Sequence, residues 1–389
     1  MRIGHLWRRR VHLLGLLLGM ALLLPGCRFR FLGSTQPLIK IGLVAPFEGR
    51  LRARGYEVLY AVKLAVRQWN EAGGVGGYKV ELVALDDGGD PAVAAQQVRE
   101  LAVDRDVLGV VGHFTEEATQ AAAPEYAAQG LALASPGVGA EGITVAGGVV
   151  RLGLPDRLLG REAARYAVES LAAKRLAVLR GRGDRHVGDA RPSLADAFGA
   201  AIRDFGGIVV LDESIVGNGW ASRLAEASPD LVFLSSDAME GGEVIWLARQ
   251  AGVEATFFGG PSLGDRALVQ VGGAATEGTV YLAMAPAGVD LAGGEAFVAD
   301  YQALAGYSPG PRATLAYEAT NLLFEAIARA AGQSSRQPSR AMVWQQLADG
   351  FQLEGLLGAW SVGSDGEPAS WPIAVYRIEA GSYPGRRLR

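Results

Sequence analysis

From residue 39 onward, short apolar strands alternate with amphipathic helices, and this alternation limits the fold more than any other feature. IKIGLVA (39–45) is an apolar run with β-branched residues and reads as a buried strand. The spacing predicts a helix over 56–71, with Val58, Val62, Ala65, Val66 and Trp69 on one face and Lys63, Arg67 and Asn70 on the other. Gly73-Gly74 ends it. YKVELVALD (78–86) is the next strand, and Asp90-Pro91 starts a helix with proline in its favoured first position. VLGVVGH (107–113) and LALAS (131–135) follow as strands. After about residue 154 the pattern resumes with RLAVLR (175–180), GIVVLDES (207–214), DLVFLSS (230–236) and ATFFGG (255–260).

Regular alternation of this kind implies parallel sheets covered on both faces. Two such runs imply an α/β chain of two doubly wound lobes, and 389 residues are too many for one ordinary core. Ligands of such sheets sit beyond the carboxyl ends of the strands. Those ends are Ala45-Pro46, His113-Phe114, Ser135-Pro136, Ser235 to Asp237 and Gly259 to Pro261.

The first residues have the grammar of an export signal. Residues 1–10 carry four arginines and no acid, and residues 11–24 form an uncharged apolar run. That run has 14 residues, short of the roughly 20 that a plain membrane-spanning helix needs. Leu23 to Cys27 (LLPGC) resembles a lipobox, which makes Cys27 the lipidated first residue of the mature chain, anchored at the membrane outside the cytoplasm. The alternative is an uncleaved anchor helix with Cys27 in it. Residues 1–26 are thus expected to be a signal peptide and 27–38 a linker. The mature chain then keeps 33 basic against 41 acidic residues, a net charge of −8, which argues against nucleic acid as a partner. Cys27 is the single cysteine, so no internal disulfide is possible. GRRLR at the C-terminus is expected to be a solvated tail.

Motifs that suggest chemistry fail on context. GVGAEG (137–142) fits GxGxxG, but ITVAGGVVRLG follows it instead of a helix whose amides could hold a pyrophosphate. GPSLG (260–264) fits a nucleophile elbow, yet no histidine follows Ser262 in the chain. His113 and His186 are too far apart in sequence to suggest a zinc site, and His113 is expected to be a hydrogen-bonded core or rim residue. Asp86-Asp87 is expected to accept loop amides. No catalytic residue, metal or cofactor is predicted.

Several phrases, in order, resemble the leucine/isoleucine/valine-binding branch of the periplasmic binding proteins. They are IKIGLVAPFEG, NEAGGVGGYKVELVALDDGGDP, VVGHFT, ASPGVG, PDLVFLSSD, ATFFGG and ATEGTVYLAMAP. The resemblance covers about residues 39–379. It implies two lobes joined by a three-strand hinge, closing on a solute. The first lobe would comprise 39–154 and about 285–355, the second 155–284 and about 356–379, with crossings near 153–156, 283–287 and 356–362 and a tail at 380–389. The function it implies is that of an extracytoplasmic receptor of an ABC importer, capturing an amino acid, amide or other polar solute and docking on permease subunits. A lipoprotein that senses the same solute for a signalling partner would need the same lobes.

Carried over position by position, the resemblance places the solute against Arg54, Phe114, Thr115, Glu116, Ser135, Gly137, Asp237 and Pro261. The family's amino-acid contacts are largely replaced. A serine of the first loop becomes Glu116, a threonine of the second becomes Gly139, and the acid that holds the ammonium falls at about Pro261. Gly137 is expected to offer its amide, Arg54 replaces a tyrosine and Asp237 a cleft aromatic. The positions of a disulfide found in some members are Gly89 and Thr115. A ligand carboxylate about 4 Å from Glu116 would feel roughly 4 kcal/mol of repulsion at an effective dielectric of 20, about a thousandfold in affinity. Leucine is therefore expected to bind poorly, and a larger, polar or cationic solute to fit better. The alternative is that Glu116 merely begins a helix, where an acid suits the dipole. Arg50, Arg52 and Arg54 form a basic loop that either clamps an anion or pairs with Glu48 and Glu57.

Overall fold

The computed structural model describes residues 36–139, 142–144, 148–184 and 193–389. The expected signal peptide, Cys27, most of the linker, His186 and part of the GVGAEG loop lie outside the described residues. Residues Leu38–Arg389 form one compact unit.

Its first half runs β1 (Leu38–Ala45), α1 (Arg52–Glu71), β2 (Lys79–Asp86), α2 (Pro91–Val103), β3 (Val107–Val111), α3 (Glu116–Gln129), β4 (Ala132–Pro136) and β5 (Val149–Leu152). These strands form a parallel sheet in the order β2-β1-β3-β4-β5. Then follow α4 (Asp156–Arg165), β6 (Arg175–Arg180), α5 (Leu194–Ile202), β7 (Ile208–Ser214), α6 (Trp220–Ala227), β8 (Leu231–Ser235), α7 (Ala238–Gln250), β9 (Thr256–Gly259), α8 (Arg266–Gly272) and β10 (Val280–Ala283). The chain goes on through α9 (Glu295–Ala305), α10 (Pro311–Gly332), α11 (Arg340–Ala348), the hairpin β11 (Phe351–Gly355) and β12 (Gly358–Val362), and finally β13 (Ala374–Arg377) and β14 (Arg386–Arg387). The second sheet has the order β14-β13-β10-β9-β8-β6-β7.

The inner strands are apolar because both faces are covered, whereas the edge strands β2 and β7 carry charged and partly exposed residues. In the first lobe, Ile39, Ile41 and Leu43 pack with Val58 and Ala61 of α1 and Ala316 and Ala319 of α10. On the opposite face, Val44, Val110 and Leu133 pack with Val98 of α2 and Ala122 and Tyr126 of α3. In the second lobe, Leu176, Val178 and Phe233 meet α4 and α5, whereas Ala177, Val232 and Phe257 meet α6, α7 and α8. The strand order reverses between β1 and β3 in the first sheet and between β6 and β8 in the second. Those two switch points are where crevices open in sheets of this kind.

Two details differ from expectation. The passage to the second sheet falls between Gly366 and Ala374, later than 356–362. Buried Glu318 of α10 accepts from Leu356 N and Trp360 Nε1 (each 2.8 Å), and Arg151 N donates to Gly366 O (2.9 Å), so the hairpin stays with the first lobe. The basic tail is also not simply solvated. Its arginine side chains are exposed, but its backbone pairs antiparallel with β13, and Tyr281 Oη donates to Pro384 O (2.7 Å).

Candidate functional site

The turn after β1 sets the site's geometry. Asp86 Oδ1, at the end of β2, accepts from Phe47 N (2.6 Å) and Glu48 N (3.3 Å). A 3-10 turn at Gly49–Leu51 then feeds directly into α1, which begins at Arg52, four residues before the periodicity predicts. The early start depends on Gly55: a Cβ there would lie 2.0 Å from Pro46 O. Only a residue without a side chain lets the first turn of the helix rest on the strand end. Arg54 is thereby swung inward and buried at the first switch point.

Arg54 bridges the halves. Its Nη1 donates to Phe114 O (2.9 Å) and its Nη2 reaches Ser262 O (3.5 Å) in the second lobe. Its buried Nε has no partner among the described residues. Arg312, in the first turn of α10, crosses in the same sense, with Nη2 donating to Pro261 O (3.0 Å) and Nη1 to Gly264 O and Asp265 Oδ2 (each 3.4 Å). Asp265 also caps α8 through Ala267 N (3.0 Å). Tyr383 Oη reaches back from the second lobe to Glu57 Oε2 (3.4 Å), whose other oxygen accepts from Ala313 N (3.1 Å). Arg50 Nη2 lies 3.7 Å from Asp237 Oδ2. Arg266 sits 4.3 Å above the ring of Tyr307. The halves are thus held together by basic groups.

The electrostatics follow from this crowding. Burial pushes the Arg54 guanidinium down to about 10, and the nearby Arg312 adds to that. Burial alone would lower Arg312 as well, but Asp265, Tyr383 and Glu57 outweigh it and leave Arg312 above its ordinary value. Burial raises Glu57, against the pull of Arg312. Arg50, Arg54, Arg266 and Arg312 thus interact with Glu57, Asp237 and Asp265 across the cleft, Glu117 also acts on Arg54, and the ionised form of Glu57 is disfavoured by burial.

The predicted residues do not all converge. Arg54, Phe114 and the Pro261–Ser262 backbone come together. Thr115 caps α3 through Ala118 N (3.3 Å). Asp237 caps α7 through Glu240 N (2.9 Å) and faces Arg50. Ser135 is fully buried, and its Oγ has no partner among the described residues. The Gly137 amide, expected to be available to a ligand, donates to Leu152 O (2.9 Å). Glu116 begins α3, as an acid at a helix start should. A Cβ at Gly139 would lie 1.9 Å from Asp156 Oδ1 and 3.3 Å from Glu116 Oε1, so the Asp156 carboxylate occupies the space that a side chain there would take. Two carboxylates therefore border the loop.

His113 and Asp87 are structural. His113 Nδ1 is 2.7 Å from Asp87 Oδ2 and Nε2 is 3.1 Å from Tyr126 Oη, all buried, while Asp87 Oδ1 accepts from Gly89 N (2.9 Å). Sequence reasoning missed Asp156, Asp265, Arg266, Arg312 and Tyr383. Gly310-Pro311 is a helix-start signal that could have drawn attention to Arg312.

Two lobes, one built on a parallel sheet and the other on a mostly parallel one whose β13 and β14 run antiparallel, are joined by several crossings, and with a charged cleft between their switch points they define a cleft-type solute-binding fold. The chain belongs to the periplasmic binding protein family, whose model matches residues 38–382. It is 27% identical over 352 residues to the Leu/Ile/Val-binding protein BraC3 of Rhizobium johnstonii, covering 88% of this chain and 92% of that one. The structure of the branched-chain amino acid transporter substrate-binding protein LivJ of Streptococcus pneumoniae, in complex with isoleucine, superposes with a TM-score of 0.78 at 24% identity, over 90% of this chain and 98% of that one. An ABC transporter substrate-binding protein of Desulfitobacterium hafniense, in complex with leucine, gives 0.73 at 25% identity, over 90% and 100%. The family is one of solute-binding proteins, and the fold is that of its type I members.

Proposed function

We propose that this chain is the extracytoplasmic receptor of an ABC importer, that Cys27 carries its lipid anchor, and that it captures an amino acid or related small polar solute by closing its lobes. One observation carries this reading: Arg54 and Arg312, both on the first lobe, place their guanidinium groups on backbone oxygens of the second. Contacts that exist only when the halves meet make closure sensitive to whatever occupies the gap. The relatives that match along nearly their whole length carry the names of Leu/Ile/Val-binding proteins, which supports import of a solute of that size. The proposed role is binding without chemistry, and the closed form is the one offered to permease subunits.

The test is native mass spectrometry of the chain as purified, with denaturation to release any bound solute. One small molecule at a stoichiometry near one per chain, together with a more compact scattering profile when it is added back, is the expected result. A chain whose profile responds to no solute found in its own source extract would overturn the receptor reading.

A further inference from the structure

A cavity of about 430 Å³ opens between the lobes on the α1 side of the cleft, within the usual range for small-molecule sites. Arg50, Arg52, Tyr56, Tyr60 and Tyr307 line it from the first lobe and Arg266 from the second, with Met239 on the second-lobe wall. Among the described residues, none that lines it is acidic. Arg50 has a long contact to Asp237 (3.7 Å) and Arg266 Nη2 reaches Ser308 O (3.4 Å). Arg52 lies 5.0 Å over the ring of Tyr56.

The tyrosines form a connected aromatic wall. Tyr56 and Tyr60 have centroids 6.4 Å apart, and Tyr60 and Tyr307 meet edge to face at 6.2 Å. Guanidinium groups already stand over Tyr56 and Tyr307, so the ring faces that would attract a ligand cation are in use. A carboxylate, by contrast, matches the fork of a guanidinium. Behind this cavity, the buried Arg54 and the half-buried Arg312 add two positive groups, and burial and Arg312 both lower Arg54. The Gly139 loop, bordered by Glu116 and Asp156, is not part of this lining.

We infer that this cavity binds an organic carboxylate with a flat apolar body and no ammonium group, its carboxylate held among Arg50, Arg52 and Arg266 and its body along the edges of the tyrosine wall. The inference rests on the receptor reading and names the class of its solute. Because Arg266 comes from one lobe and the other two arginines from the other, one carboxylate between them draws the halves together.

Isothermal titration of the full chain in detergent with three probes tests this: phenylacetate, phenylacetamide (same body, no charge) and phenylalanine (ammonium added). Phenylacetate is expected to bind at least tenfold more tightly than either of the others. Arg52→Gln and Arg266→Gln are each expected to weaken it at least tenfold. Arg52 is exposed, so its variant should keep the parent melting temperature. Phenylalanine binding as tightly as phenylacetate, or phenylacetate binding that ignores both substitutions, overturns the inference and leaves the receptor reading standing. Failure of all three probes also overturns it, and the receptor reading is then decided by the co-purified solute.

Discussion

Arg312→Met isolates the strongest link across the cleft. The substitution keeps the apolar stem and removes the guanidinium. Arg312 makes one well-formed cross-lobe contact, to Pro261 O (3.0 Å), and two long ones at 3.4 Å, to Gly264 O and Asp265 Oδ2. A hydrogen bond from a charged donor contributes about 1.5–3 kcal/mol, so the short contact in full and the long ones heavily discounted give about 2 kcal/mol. Losing that amount from the closed form lowers the closed-to-open ratio by about 30-fold. Two further effects oppose each other. Glu57 and Asp265 lose a counter-charge, which favours an open, hydrated cleft, whereas Arg54 loses a repelling neighbour, which favours closure. The carboxylates number two against one, so the net sign is toward opening.

Spin labels at Lys63→Cys and Glu243→Cys, exposed positions on α1 and α7, report the distance between lobes in a chain that also carries Cys27→Ser. The short-distance population should shrink in Arg312→Met and stay unchanged in Arg99→Met, whose partner Glu125 lies in the same lobe (2.7 Å). An unchanged distance distribution in Arg312→Met, or a shift toward closure, would refute the assignment of Arg312 as a clamp.

Two further predictions concern stability. Gly139→Ala should destabilise the chain by roughly 1–3 kcal/mol, because its Cβ must displace the Asp156 carboxylate, and Asp156→Ala in the same chain should restore most of the loss; a neutral single substitution in urea denaturation would contradict the packing described. Asp184 is raised to about 6, by burial first and against the hydrogen bond from Ser235 Oγ (3.0 Å). A raised carboxyl group binds its proton more tightly in the folded chain, so its contribution is complete below about pH 4 and is lost as pH rises through about 6. Wild type should therefore lose up to about 3 kcal/mol between pH 4 and 7 that Asp184→Asn does not lose, and parallel pH profiles would count against this.

Much of the fold was legible in the chain because it is local and periodic. Apolar β-branched runs of five to eight residues, the Asp90-Pro91 cap and the Gly73-Gly74 stop each act within a few residues, and each lies where the pattern places it. The resemblance to the family added the pairing of two lobes and the placement of α10 beside the first sheet. The early start of α1 was not legible, because it depends on Gly55 fitting against Pro46 O, a contact made only after the chain has turned.

The site was less legible, for a physical reason. Sequence position told which residues stand at strand ends, and so brought Arg54 and the 259–261 loop into view. It could not tell that Arg312 meets Pro261 and Asp265 or that Tyr383 meets Glu57, since those contacts join residues 47 to 326 positions apart in the chain. Nor could it tell that Asp156 fills the space at Gly139, or that the Gly137 amide is held by Leu152 O. Residue order and periodicity determined two sheets and which ends face a cleft. Packing alone decided which charges share that cleft, because the field at a buried group is a sum over neighbours in space.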